Sequence, residues 1–172
     1  VNGKTAREVI YSKKFGLLVG TVNDFGLIKK DKFNKYYYES LANFFPESLQ
    51  PIQTIFSLFE VNSQIFIETQ HSIYVFDGKK IVAHPFDTYI SHSYEVNGKF
   101  YVFTEEFIYC YDNNQFRPVR SQTIGDGKRL YLLFEDGQGK LVSGLENGSF
   151  VVFDDSVAQN PCRYSFNIFD IW

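Results

Sequence analysis

The chain repeats itself. Four segments share one layout: an apolar strand, a turn, a second apolar strand, and a third that closes on Asp. The second copy runs Ile55-Phe56-Ser57-Leu58-Phe59-Glu60, Val61-Asn62-Ser63-Gln64, Ile65-Phe66-Ile67-Glu68-Thr69 and Ile73-Tyr74-Val75-Phe76-Asp77. The third superimposes on it: Ile90-Ser91-His92-Ser93-Tyr94-Glu95, Val96-Asn97-Gly98-Lys99, Phe100-Tyr101-Val102-Phe103-Thr104, Phe107-Ile108-Tyr109-Cys110-Tyr111-Asp112. The fourth reads Leu130-Tyr131-Leu132-Leu133-Phe134-Glu135, a turn over 136–140, Leu141-Val142-Ser143-Gly144-Leu145, and Phe150-Val151-Val152-Phe153-Asp154. The first is less complete, with Val9-Ile10-Tyr11, Leu17-Leu18-Val19-Gly20-Thr21 and Phe25-Gly26-Leu27-Ile28 leading to Asp31. The closing residues Asp31, Asp77, Asp112 and Asp154 stand 46, 35 and 42 residues apart, a mean of 41.

A unit this short cannot bury its own apolar faces, so the copies must hide them against one another. The period matches a propeller blade, and the expected fold is an all-β β-propeller: about four blades of four-stranded antiparallel sheet, an arc of a larger ring. Asn97-Gly98 and the Asp136-Gly137 to Gly139 stretch supply the positive-φ residues that tight hairpins need. Short apolar segments after the closing aspartates, such as Lys80-Ile81-Val82-Ala83 and Gln115-Phe116-Arg117-Pro118-Val119, read as outer fourth strands. The blades are expected over roughly 1–50, 51–87, 88–122 and 123–165, with 166–172 opening a further blade that the chain leaves unfinished. Lys32 to Pro51 reads as the longest irregular insertion and the place for a helical turn.

Composition agrees. Phe and Tyr supply nearly all of a 19% aromatic content, and both favour a pleated, half-buried surface. The net charge of −3 leaves no excess of Lys or Arg to neutralise phosphates, which argues against nucleic acid. The longest stretch without a charge, Ser48 to Phe59, is interrupted by Pro51 and is too short to cross a bilayer, and the N-terminal residues lack the apolar core of a signal peptide. Cys110 and Cys162 sit in unlike contexts and are read as two unpaired thiols, which leaves the redox compartment open.

The patterns that carry chemistry are missing. His71, His84 and His92 lack metal-ligand spacing, and no nucleophile elbow or phosphate-cradling glycine loop occurs, so neither metal, cofactor nor catalysis is expected. Glu60, Glu95, Glu135 and Asp136 recur at equivalent blade positions. Recurrence of that kind serves the blade, here by capping the turn after the first strand; carboxylates around a glycosidase funnel are the competing reading. The basic run Lys29-Lys30-Asp31-Lys32 with Lys35 reads as a solvated loop. Strand aromatics belong to the core, which leaves the loop aromatics Phe25, Tyr36, Tyr37, Phe44, Phe45 and Tyr89 as candidate ligand contacts, with His92 alternating into the channel from a first strand.

Gly16-Leu17-Leu18-Val19-Gly20-Thr21 with Asn23-Asp24-Phe25-Gly26-Leu27, and Leu133 to Gly144 with Asn147-Gly148, resemble the regulator-propeller repeat of Bacteroidetes-type sensors. The likeness spans most of the chain, although Glu68 and Phe103 stand where that repeat usually has Gly. The resemblance implies the extracytoplasmic sensor of a one-component or hybrid two-component regulator, periplasmic or extracellular, joined in the whole protein to a triple-tyrosine Ig-like domain, a membrane helix and an output domain. It implies a non-catalytic module that recognises a glycan-derived or other small extracellular cue. Expected partners are a small molecule or oligosaccharide, the rest of the sensor, and a second copy in a homodimer. A protein-interaction scaffold is the alternative reading, and a propeller glycosidase or lyase the third.

Overall fold

The computed structural model describes residues 5–121, 123–124, 128–145 and 148–153. The chain divides into two compact units, Val1–Ile90 and Ser91–Trp172. The first holds two four-stranded meanders, each paired in chain order and antiparallel throughout. One comprises β1 (Ala6–Ser12), β2 (Gly16–Thr21), β3 (Phe25–Lys30) and β4 (Tyr36–Ser40). The other comprises β5 (Ser57–Val61), β6 (Gln64–Glu68), β7 (Ser72–Phe76) and β8 (Ile81–Pro85). A third meander of four strands, β9 (Ile90–Val96), β10 (Lys99–Thr104), β11 (Phe107–Asp112) and β12 (Gln115–Ser121), makes up most of the described part of the second unit. A small hairpin follows, β13 (Thr123–Ile124) with β14 (Lys128–Arg129), and then a three-stranded sheet of β15 (Phe134–Glu135), β16 (Leu141–Gly144) and β17 (Phe150–Phe153).

The repeat is written in the turns as much as in the strands. The β5–β6, β9–β10 and β11–β12 hairpins each place two consecutive residues in the left-handed region: Asn62 and Ser63 (φ 49° and 62°), Asn97 and Gly98 (55° and 69°), Asn113 and Asn114 (49° and 61°). Such pairs make turns whose twist matches the strands they join. Two of the closing aspartates, Asp31 and Asp77, cap the next reversal. Asp31 Oδ1 accepts the Phe33 and Lys35 amides at 2.8 and 2.9 Å, and Asp77 Oδ1 accepts those of Lys79 and Lys80 at 2.7 and 2.9 Å. The Lys80 and Lys79 amides hold the Asp77 carboxyl below its usual range.

A second recurring device closes the opposite turn. The hydroxyls of Thr21, Thr69 and Thr104 donate to the carbonyls of Asp24, Ser72 and Phe107 at 3.0, 2.9 and 3.0 Å, and all three threonines are buried. Middle strands carry the core, since they are covered on both faces: Ile65, Phe66 and Ile67 on β6, and Phe100, Val102 and Phe103 on β10, are almost fully buried.

Within the first unit one cluster joins the two meanders, with Leu18 and Phe25 meeting Ile55, Leu58, Tyr74 and Phe76. Ser12 Oγ donates to Glu60 at 2.8 Å while accepting the Lys14 and Phe15 amides, and Lys14 Nζ donates to the carbonyls of Ser63 and Asp77 at 3.2 and 3.0 Å. Phe15 packs on Phe76 with ring centroids 5.2 Å apart.

Three expectations change. Tyr36–Ser40 is not irregular but is the outer strand β4, and the segment beyond it holds two 3₁₀ turns, Ala42–Phe44 and Glu47–Leu49. The first strand of the fourth copy, expected over Leu130 to Glu135, pairs only at Phe134–Glu135, with an isolated bridge from Leu130 to Leu145. Glu60 does not cap its own turn but reaches Ser12 of the preceding meander. Asp154, Cys162, the fourth strand of the last copy and the further blade expected over Phe166–Trp172 lie outside the described residues.

Candidate functional site

The aromatic candidates divide by burial. Phe25 opens β3 fully buried and Phe45 follows the first 3₁₀ turn at 3% exposure, edge-on to Tyr74, so these two belong to the core and not to a binding loop. Phe44 is partly exposed but rests edge-on against Phe76 at 5.4 Å. Tyr36 and Tyr37 stand exposed on β4, where Lys30 Nζ lies 4.9 Å above the Tyr36 ring. Lys29 pairs with Glu39, a bond that raises the lysine's pKa. The basic run therefore belongs to a β3–β4 hairpin and its turn. At another place in the first unit, exposed Tyr89 meets His71 edge-to-face at 6.0 Å.

Asp24 anchors the start of β3. Its carboxylate is buried and accepts the Phe25 amide at 2.8 Å and the Ser40 hydroxyl at 2.7 Å, tying the β2–β3 turn to the end of β4. Burial, with the Asp24 charge adding to it, pushes the neighbouring Tyr38 phenol well above its usual range.

In the second unit His92 lies in a cluster that forms across two sheets. His92 and Tyr94 are two residues apart on β9 and so share a face. The His92 ring sits 6.2 Å from Tyr94 and 6.0 Å from Tyr131, on the segment leading into β15. The Tyr94 hydroxyl donates to the Tyr131 carbonyl, and its ring packs on buried Phe103 at 5.4 Å. Tyr131 is 38% exposed and His92 half-buried, so an imidazole and a phenol ring are open to solvent on a platform held from beneath. Such a surface offers flat apolar faces edged by hydroxyl and ring-nitrogen groups. The sequence reading named His92 but missed Tyr94 and Tyr131. The i, i+2 spacing on a strand was available for Tyr94; Tyr131 comes from another repeat and carried no local signal.

Beside Tyr131 lies a cleft of about 280 Å³ lined by Tyr131, Leu132, Gly144, Leu145, Ser149 and Phe150. None of the described residues that line it carries a charge.

Two of the recurring carboxylates are engaged in turns. Glu95 accepts the Gly98 amide at 2.8 Å, and Asp136 accepts those of Gln138 and Lys140 at 2.8 and 2.9 Å. The Lys140 and Gln138 amides hold the Asp136 carboxyl below its usual range. Among the described residues, no three His, Cys, Asp or Glu side chains are grouped to hold a metal ion, and no helix is long and apolar enough to cross a membrane.

No family model and no curated protein matches the sequence. Solved structures do. The extracellular domain of a hybrid two-component system from B. thetaiotaomicron matches with a TM-score of 0.62 at 17% identity, over 96% of this chain and 23% of that one. Virginiamycin B lyase from Staphylococcus aureus matches with a TM-score of 0.60 at 11% identity, over 95% and 56%. YCF48 bound to D1 peptide matches with a TM-score of 0.61 at 13% identity, over 93% and 52%. The chain thus spans about a quarter of the sensor domain and about half of each of the other two. At these identities the likeness is one of fold: the repeated meanders are β-propeller blades, similar to those of the extracellular domains of Bacteroides sensors, as the repeat motifs implied.

Proposed function

We propose that this chain is the ligand-sensing propeller part of a larger signal-transduction regulator, working outside the cytoplasm and recognising a small cue without transforming it. The observation that carries this reading is the His92–Tyr94–Tyr131 platform. Its ring faces and hydroxyl edges suit a neutral, hydroxyl-rich molecule such as a glycan fragment, in which apolar C–H faces alternate with polar edges. The fold shared with extracellular sensor domains supports the same role. The engagement of Glu95 and Asp136 in turn capping favours recognition over glycoside hydrolysis, which needs two carboxyls facing one bond.

Isothermal titration against a panel of neutral oligosaccharides tests this. One of them binds, and Tyr131→Ala and His92→Ala each weaken it at least severalfold while leaving the thermal midpoint near that of the parent. Turnover of an oligosaccharide would replace the sensor with an enzyme, and binding that ignores both substitutions would remove the platform from the mechanism.

The second reading, a protein-interaction scaffold, is favoured by the exposed Tyr36 and Tyr37 on the outer strand β4. A propeller with a peptide bound occurs among the similar structures. Pull-down by an immobilised peptide library, lost on Tyr36→Ala, would support it.

A further inference from the structure

The turn into the outer strand differs between the three four-stranded blades. β7 and β8 are joined by Asp77-Gly78-Lys79-Lys80, and β11 and β12 by Asn113-Asn114, turns of glycine and polar residues. β3 and β4 are joined by Asp31-Lys32-Phe33-Asn34-Lys35, one residue longer than the second copy's turn and with an aromatic at its apex. What all copies share serves the blade; Phe33 belongs to one copy, and turn geometry does not call for it. The apex is held in place by its own backbone. The Asn34 amide donates to the Asp31 carbonyl at 3.0 Å and the Asp31 amide to the Lys35 carbonyl at 2.9 Å, with Asn34 left-handed at φ 62° and the Asp31 carboxylate accepting the Phe33 and Lys35 amides. Lys32 and Phe33 are thus the two central residues of a closed turn.

Every residue from Lys29 to Tyr37 is exposed. Phe33 and Tyr36 keep 71% and 70% of their surface in water, two rings whose transfer to a less polar medium is favourable. Each ring has an ammonium beside it: Lys32 Nζ lies 5.0 Å over Phe33 as Lys30 Nζ lies 4.9 Å over Tyr36. Four lysines against one aspartate give residues 29–37 a charge of +3 in a chain of net −3. Lys29 is paired with Glu39, so Lys30, Lys32 and Lys35 are the charges that accompany the two rings. An acidic polypeptide would match this charge, but a tip exposed along its whole length encloses nothing and offers the rings no groove. A bilayer surface matches both parts, since aromatic rings settle at the level of the headgroups while lysine stems lie along the apolar boundary and their ammonium groups reach the phosphates.

We propose that the β3–β4 tip is a membrane-contact surface, which seats Phe33 and Tyr36 among the headgroups of an anionic phospholipid bilayer and sets Lys30, Lys32 and Lys35 against the phosphates. It shares no residue with the His92 platform, so its failure would leave the sensor reading untouched. The test is co-sedimentation of the full chain with vesicles of equal parts phosphatidylcholine and phosphatidylglycerol, against phosphatidylcholine alone. The chain sediments with the anionic vesicles at low salt and much less with the neutral ones. Phe33→Ala weakens binding severalfold, and Lys32→Gln with Lys35→Gln weakens it by about fivefold for each charge removed. Phe33→Trp retains it, with emission that shifts to the blue on adding vesicles by more than the background from Trp172. Asp31→Asn keeps a side-chain oxygen for the Phe33 and Lys35 amides while removing the negative charge, and tightens binding. These four positions are exposed, so thermal midpoints stay near that of the parent. Equal sedimentation with both vesicles, or binding indifferent to Phe33→Ala, overturns the proposal. Binding to soluble polyglutamate as tight as to the anionic vesicles also overturns it, and would make an acidic polypeptide the partner.

Discussion

At the scale of the residue, glycine positions that look alike in sequence differ sharply in what surrounds them. A Cβ on Gly20 would overlap Ile55, whereas one on Gly137 would meet nothing within 4 Å. Gly20→Val is therefore expected to cost about 1–3 kcal/mol by overpacking. Gly137→Ala should be neutral or stabilise by up to about 1 kcal/mol through the unfolded state. Urea midpoints of the two variants check the contrast, and equal effects would deny Gly20 its special place. His84, half-buried on β8, supplies a pH dependence, because burial lowers its pKa below the ordinary 6.5. The unfolded chain then takes up a proton that the folded chain refuses, so stability falls as pH drops through the ordinary histidine pKa and levels off below the folded one. Comparing urea midpoints at about pH 8 and about pH 5.5 should show a smaller loss in His84→Gln than in the parent.

At the scale of the element, hairpin chemistry makes its own prediction. Ser63 sits at φ 62°, where a side chain is strained, so Ser63→Gly should raise stability by a few tenths to about 1 kcal/mol, and Ser63→Val should lower it. A thermal melt of both distinguishes this turn from one that tolerates any residue. Strands with clean apolar runs and Asn-Gly or Asp caps were legible because strand alternation and turn conformation are local properties. Tyr36-Tyr37-Tyr38 was not, since three aromatics in a row between Lys35 and Glu39 show no alternation, and their strand character comes from pairing with Ile28, Lys29 and Lys30. Phe25 and Phe45 misled for a related reason: Asn23-Asp24 and Pro46 mark turns beside them, but burial is decided by the neighbouring blade. Leu130 to Leu133 erred the other way, an apolar run with little ladder pairing in which Leu130 and Leu133 pack into the core while Tyr131 and Leu132 stay exposed. The platform at His92 needed Tyr131, 39 positions along the chain, and only the fold brings them together.

At the scale of the whole molecule, stability is shared between copies. The described members of the cluster joining the first two meanders lie between Ile10 and Ala83, so residues 1–90 expressed alone should show a strand-type circular dichroism spectrum and a cooperative melt. A fragment that melts without a transition would mean that these blades draw their order from elsewhere. Propeller blades invite the view that one could be exchanged for another, and the threonine and aspartate turns would allow it, since each works inside its own copy. Ser12, Lys14 and Phe15 do not, because their partners Glu60, Ser63, Asp77 and Phe76 all come from the second copy. A gene that shuffled or duplicated these modules would yield intact hairpins with mismatched handshakes: the repeats spell the letters, and the junctions fix their order.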